Sequence, residues 1–233
     1  MASAISLMRP QPGPVPLVGA GGFGARTVAL LAQEFAGSVM LPADELQRAF
    51  REFEGPVVLA AWRPMPALFE QADAWAYRLG RAWLPVVMET SVVRVGPLVV
   101  PAGGPCFRCY RERRRQHDLQ GVTTSALYEA YDADPECGPG GFLPHHARLA
   151  ATVAARYVRA AAGEGSAAGP RPGAVSTLSL RQWGVDTSHV VPWHGCPRCS
   201  DAAVPADRAG ETRLDRLRAA LFPAPCPVGG GSR

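Results

Sequence analysis

Val15-Pro16-Leu17-Val18-Gly19-Ala20-Gly21-Gly22-Phe23-Gly24 is the stretch from which the fold can be read. A short apolar run enters a glycine-rich turn. Apolar residues then recur at Val28, Leu31, Ala32 and Phe35, the spacing of one helix face. Strand, glycine loop and helix in that order form the opening unit of a Rossmann-like sheet. Glycines here let the chain turn tightly, let a ligand approach the backbone, and let the helix pack on the strand. Gly19, Gly21, Gly22 and Gly24 are therefore candidate nucleotide-binding residues. Asp44 lies at the distance of a ribose partner, and reads equally as a helix N-cap with Gln47 three residues on. The plainer alternative is that the glycines serve packing alone.

Outward from this unit the alternation continues. Residues 38–41, 57–61 and 85–88 read as strands, and 44–53 and 65–83 as helices. Residues 92–95 and 98–100 read as a hairpin through Gly96-Pro97. Residues 110–144 carry the charged run Arg111 to Arg115 and a Gly/Pro-rich end, and read as a surface crossover loop. A helix over 145–162 presents Leu149, Val153, Tyr157 and Val158, and a flexible linker spans 163–173. Residues 175–180 and 186–191 read as an antiparallel pair. The expected fold is α/β: a mostly parallel sheet with helices on both faces and antiparallel C-terminal strands. One domain spans 15–200, preceded by a Pro-rich arm over 1–14 and followed over 201–233 by one helix (212–221) and a Gly-rich tail.

With 233 residues, 47% hydrophobic and 19% charged, the chain can bury a sizeable core. No apolar run is long enough to span a bilayer, and a net charge of +4 without a basic stripe does not point to nucleic acid. All 24 basic residues are Arg. That excludes a Schiff-base Lys, a phosphate-loop Lys and a Lys general base.

Four of the six cysteines form two C-x-x-C pairs, Cys106/Cys109 and Cys196/Cys199. Residues 1–8 lack the basic start of a secretory signal and run into Arg9-Pro10, so a reducing, cytoplasmic location is expected. There, paired C-x-x-C turns read as metal ligands. Each turn delivers two thiolates, and two turns close a tetrahedral zinc shell with no open position, which makes the zinc structural. The alternatives are buried free thiols or a redox pair. Cys137 and Cys226 lack a partner at ligand spacing.

In this order the pieces resemble the ubiquitin-activating-enzyme-like superfamily of the ThiF/MoeB type. The likeness is carried by the glycine loop, by Val95 to Pro101 running into Pro105-Cys106-Phe107-Arg108-Cys109, and by His194-Gly195-Cys196-Pro197-Arg198-Cys199. Adenylating members place acidic residues and an Asn-Leu-x-Arg-Gln stretch after the second strand, and use a Lys on ATP. This chain has Leu41-Pro42-Ala43 at that strand end, Trp62-Arg63-Pro64 where the family carries an Asp near magnesium, and no Asn or Lys. Charge compensation for a triphosphate is largely missing, so ATP chemistry is not expected.

The chain is most similar to the ThiF-like partner of YcaO cyclodehydratases, from thiazole/oxazole-modified peptide pathways. The resemblance implies a non-catalytic subunit that presents a ribosomal precursor peptide to a YcaO-type enzyme for azoline formation. A separate polypeptide would supply the leader-binding element, which such partners often carry before the first strand. The resemblance also implies a homodimer. Two alternatives remain. One is a ThiF-like enzyme adenylating a peptide or carrier-protein carboxylate, with Arg26 on the phosphates and Cys137 as catalytic thiol. The other is a dinucleotide-dependent enzyme.

Lesser candidates have plainer readings. Arg108 with Arg111 to Arg115 could meet an acidic leader or form a solvated face. His145 and His146 start a helix, and His194 neighbours Cys196. Trp75, Tyr77 and Trp83 read as core or dimer contacts.

Overall fold

In the computed structural model, which describes residues 13–164, 169–182 and 184–199, seven strands form one sheet. They are β1 (Pro16–Ala20), β2 (Val39–Pro42), β3 (Val57–Ala61), β4 (Trp83–Met88), β5 (Val92–Val95), β6 (Ala174–Ser179) and β7 (Gly184–His189). Their order is β2-β1-β3-β4-β5-β6-β7. The first four run parallel, with Leu17 opposite both Met40 and Val58, and Ala60 opposite Val86. β5, β6 and β7 are each antiparallel to the preceding strand in this order. The expected mixed α/β sheet is the one observed.

Period-two alternation splits the strand side chains between two cores. Leu17, Val58, Ala60, Leu84 and Val86 face α1 (Gly21–Ala32) and α6 (Pro144–Ala161). Ala147, Ala150, Ala151, Ala154 and Ala155 are all buried, so small side chains bring α6 close to the sheet and to α1. On the other face Val18, Leu59, Ala61, Trp83 and Val87 pack with α2 (Leu46–Glu52), α3 (Pro66–Leu79) and α4 (Phe107–Gln116). α5 is Gly121–Ala133.

Several expectations are corrected. Asp44 caps no helix: residues 43–45 form a 3-10 turn, and no side-chain cap bond is made there or at the start of α2. α3 stops at Leu79, where Gly80 takes the left-handed conformation (φ 64°) and closes the last turn, which leaves Trp83 to start β4. The 92–100 hairpin does not form. β5 bonds instead to β4 and β6, and the next segment crosses over: Leu98 receives the Gly173 N–H, while Val99 pairs with Trp83. The expected crossover loop contains two helices, α4 and α5. Leu149 on α6 is exposed. Trp83 is core, Trp75 half-buried and Tyr77 half-exposed. The arm over 1–12, part of the linker (165–168), Cys226 and the helix and tail over 201–233 lie outside the described residues.

Candidate functional site

Cys106 is the N-cap of α4, and Cys109 sits in its first turn. Cys196 and Cys199 occupy a tight turn beyond β7, where the Cys196 N–H donates to the Trp193 carbonyl. The fold brings these distant pairs together. All four thiols are buried, and their sulfurs lie within 4.8 Å of one another. Sγ–Sγ distances are 3.8 Å for Cys106/Cys109, 3.6 Å for Cys106/Cys196, 3.2 Å for Cys109/Cys199 and 3.9 Å for Cys106/Cys199. A tetrahedron of sulfurs about 2.3 Å from a metal has edges of about 3.8 Å, so the four residues fit one metal ion.

Neighbouring side chains hold the two turns in place. Buried Asp73 on α3 accepts from Arg198, inside the second turn. Arg113 on α4 donates to the carbonyls of Val191 (3.2 Å) and Pro192 (2.8 Å), tying α4 to the strand-exit segment. The Trp193 N–H donates to Cys109 Sγ at 3.3 Å. Phe107 packs on Trp83 and Phe69, with ring centres 5.1 and 5.9 Å away. Burial pushes the Cys106 thiol up, and Cys199 up to about 12. Burial opposes ionisation at Cys196 too, but N–H groups of Arg198 and Cys199 outweigh it and bring that thiol down to about 7. A thiolate is the form that ligates metal.

The glycine loop has a packing explanation. Gly21 has φ +67°, and a Cβ there would lie 2.2 Å from Cδ1 of Trp62. A Cβ on Gly24 would lie 2.3 Å from the Ala60 carbonyl oxygen, because α1 rests directly on β3. Trp62 is fixed by its own N–H, which donates to Ala20 at 3.2 Å. Phe142 reaches Gly22 and meets Phe23 edge-on, 5.6 Å between centres. Gly21 and Gly22 keep exposed backbone, and Arg26 is exposed on α1.

Beyond the C-terminal ends of β3 and β4 lies a cavity of about 550 Å³, bordered by Trp62, Met88, Glu89, Tyr128, Phe142 and His146. A larger groove of about 950 Å³ runs between α4 and the β6–β7 face. Glu89 borders both. It accepts from Arg94 Nε at 3.0 Å and from Arg114 at 2.9 Å on each oxygen. Burial alone would raise its pKa, but the two guanidiniums hold it below the ordinary carboxylate range. Sequence reasoning passed over Glu89 and Arg94, since nothing local marks a charge as buried.

Arg63 was also passed over as a structural residue. It is 1% exposed and donates to the carbonyls of Tyr131 (3.0 Å), Asp134 (3.2 Å) and Pro135 (3.2 Å) at the end of α5, beneath the Tyr131 ring. Helix C-terminal carbonyls carry partial negative charge, which compensates the buried guanidinium.

The other candidates are dispersed. The arginine run is engaged within the chain: Arg111 with Glu70, Arg113 with carbonyls, Arg114 with Glu89, Arg115 with Glu112. His146 Nδ1 accepts the Leu143 N–H at 3.3 Å, a capping role. His194 is exposed. Cys137 is half-buried, outside the four-sulfur cluster, and donates its N–H to the Asp134 carbonyl.

No family model matches the chain, and no curated protein matches it. Solved structures do share its fold. The heterocyclase TruD matches at 18% identity and a TM-score of 0.60, over 82% of this chain and 28% of that chain. MccB of E. coli, solved with selenomethionine MccA, matches at 12% and 0.56, over 82% and 67%. The E. coli microcin synthetase McbBCD complex matches at 11% and 0.56, over 82% and 70%. This chain therefore spans little more than a quarter of the length of the heterocyclase. The α/β fold expected from the motifs is the fold observed, and it is shared with these solved structures.

Proposed function

We propose that this chain is the ThiF-like partner subunit of a YcaO-type cyclodehydratase, and that it presents a ribosomal precursor peptide for azoline formation. The observation that carries the reading is the fold shared with the heterocyclase TruD over most of the chain. A non-catalytic role is supported by the packing of Trp62 on Gly21, which accounts for the loop's glycines without a nucleotide. The loss of acidic and Lys groups that would balance ATP and magnesium supports it further. Residues 15–200 form the working domain. Cys106, Cys109, Cys196 and Cys199 hold a structural zinc that staples α4 to the C-terminal turn. The site of action is the cytoplasm, where the thiolates stay reduced. No helix among the described residues is long and apolar enough to cross a membrane. The subunit forms a homodimer.

The test is reconstitution. With the cognate YcaO enzyme, precursor and ATP, mass spectrometry follows the loss of 18 Da per heterocycle (one water). Adding this chain should raise the rate. Equal rates with and without it would sink the reading. Pyrophosphate exchange by this chain alone would instead favour the adenylating alternative.

A further inference from the structure

β7 ends the sheet with a bare edge. All of its residues, Gly184 to His189, are exposed. Among the described residues its one strand neighbour is β6. Two bonds at the strand ends fix which way its backbone groups point. The Leu180 N–H donates to Ser91 at 3.0 Å, so even-numbered residues of β6 bond to β5 and odd-numbered ones to β7. The Val190 N–H donates to Gly173 at 2.9 Å, in the same alternation. Gly184, Asp186 and Ser188 therefore bond to β6. Val185, Thr187 and His189 turn their N–H and C=O groups outward, and these groups have no backbone partner among the described residues.

An open edge invites pairing with another chain, and sequences normally blunt it with proline, basic residues or a bulge. β2, at the other edge, is blunted: it is only Val39–Pro42, and Pro42 has no N–H to give. β7 carries no proline and no arginine, and its register with β6 is unbroken from Gly184 to His189. Its one acid is Asp186.

We infer that β7 is the interface between two copies of this chain, which pair edge to edge, antiparallel, about a two-fold axis through Thr187. The inference rests on the homodimer of the function proposed above and gives it a surface. The register follows from the residues themselves. With Thr187 on the axis, Val185 meets His189 of the second copy, and Thr187 meets Thr187. Each such pair exchanges both of its backbone bonds, so every outward group on the two edges is satisfied at once. Asp186 meets Ser188, and no like charges oppose. A threonine pair on the axis is itself a favourable cross-strand contact. Centring on Asp186 would set that carboxylate against itself, which is unfavourable. Centring on Ser188 would set Val185 opposite Val191, whose carbonyl already accepts from Arg113 at 3.2 Å. A head-to-tail contact of β7 with β2, which would build open fibres, meets Pro42 and a shorter ladder.

The test uses the full chain at micromolar concentration, with mass read by light scattering after gel filtration. Wild type should be a dimer. Thr187→Lys and Thr187→Glu should each raise the dimer dissociation constant at least about tenfold, because each sets like charges face to face across the axis. Both variants lose the same hydroxyl bond between Thr187 and Ser176 (3.0 Å), so any effect of that loss is common to them. Circular dichroism checks the fold. Mixing the two variants should restore the dimer, since a contact of position 187 with itself then sets Lys against Glu. Variants as dimeric as wild type, or folded variants whose mixture stays monomeric, overturn this interface and leave the homodimer and the YcaO-partner reading standing. A wild-type monomer overturns the interface and the homodimer together. Loss of precursor-peptide binding by Thr187→Lys with its dimer intact assigns the edge to a peptide strand and overturns the inference.

Discussion

Trp62 stands against Gly21 so closely that one added carbon on the glycine would overlap the indole at 2.2 Å. Two separate costs therefore meet a Gly21→Ala change: the steric overlap and a positive φ of 67°. Together they should lower stability by about 2–4 kcal/mol. Adding Trp62→Ala should return the steric part and leave the conformational part of about 1 kcal/mol. Chemical denaturation of the single and double variants measures both. A single variant as stable as wild type would show that the indole yields.

Zinc removal should loosen the link between α4 and the C-terminal turn. We expect about one zinc per chain by elemental analysis, and a loss of several kcal/mol on chelation. Cys199→Ser should mimic the chelator, because serine is a poor zinc ligand. Unchanged melting after complete metal removal would contradict a stapling role.

Glu89 sets an acid limit on stability. Its pKa in the folded chain lies below the ordinary 4.5, so its contribution is complete above that value and is lost as pH falls through the lowered one. Glu89→Gln would leave buried Arg94 without its carboxylate and should cost about 3 kcal/mol near neutral pH. The gap between variant and wild type should close in acid, where wild-type Glu89 is itself protonated. Denaturation midpoints measured across pH check this.

Arg63→Met should free the end of α5 while sparing the sheet. Four carbonyls, three of them at the end of α5 and the fourth that of Pro64, lose a charged donor, at a cost of about 2–3 kcal/mol. Hydrogen exchange should rise in α5 and its connection to α6, with β1, β3 and β4 still protected. Uniform change across the chain would refute a local anchoring role.

Read from the residues alone, β1, the glycine turn and α1 were legible because one short segment contains its own strand, turn and helix periodicities. The four cysteines were legible for a related reason: a C-x-x-C turn is itself a local geometry. α5 was not, since the charged run before it and the Gly/Pro-rich 135–144 stretch after it read as one loop, and its anchor, Arg63, lies far back in the chain. The 92–100 hairpin failed because Leu98 and Val99 find partners on two different segments, Ala174 and Trp83.

The chain's own order of residues thus determined the α/β alternation, the sheet's apolar strands and the two sulfur turns, all properties of neighbours along the backbone. Tertiary structure alone decided that the sulfur turns meet, that Glu89 is buried between two guanidiniums, and that the arginine run is engaged. Solvation and pairing of a charge depend on what folds over it, which spacing along the chain does not encode.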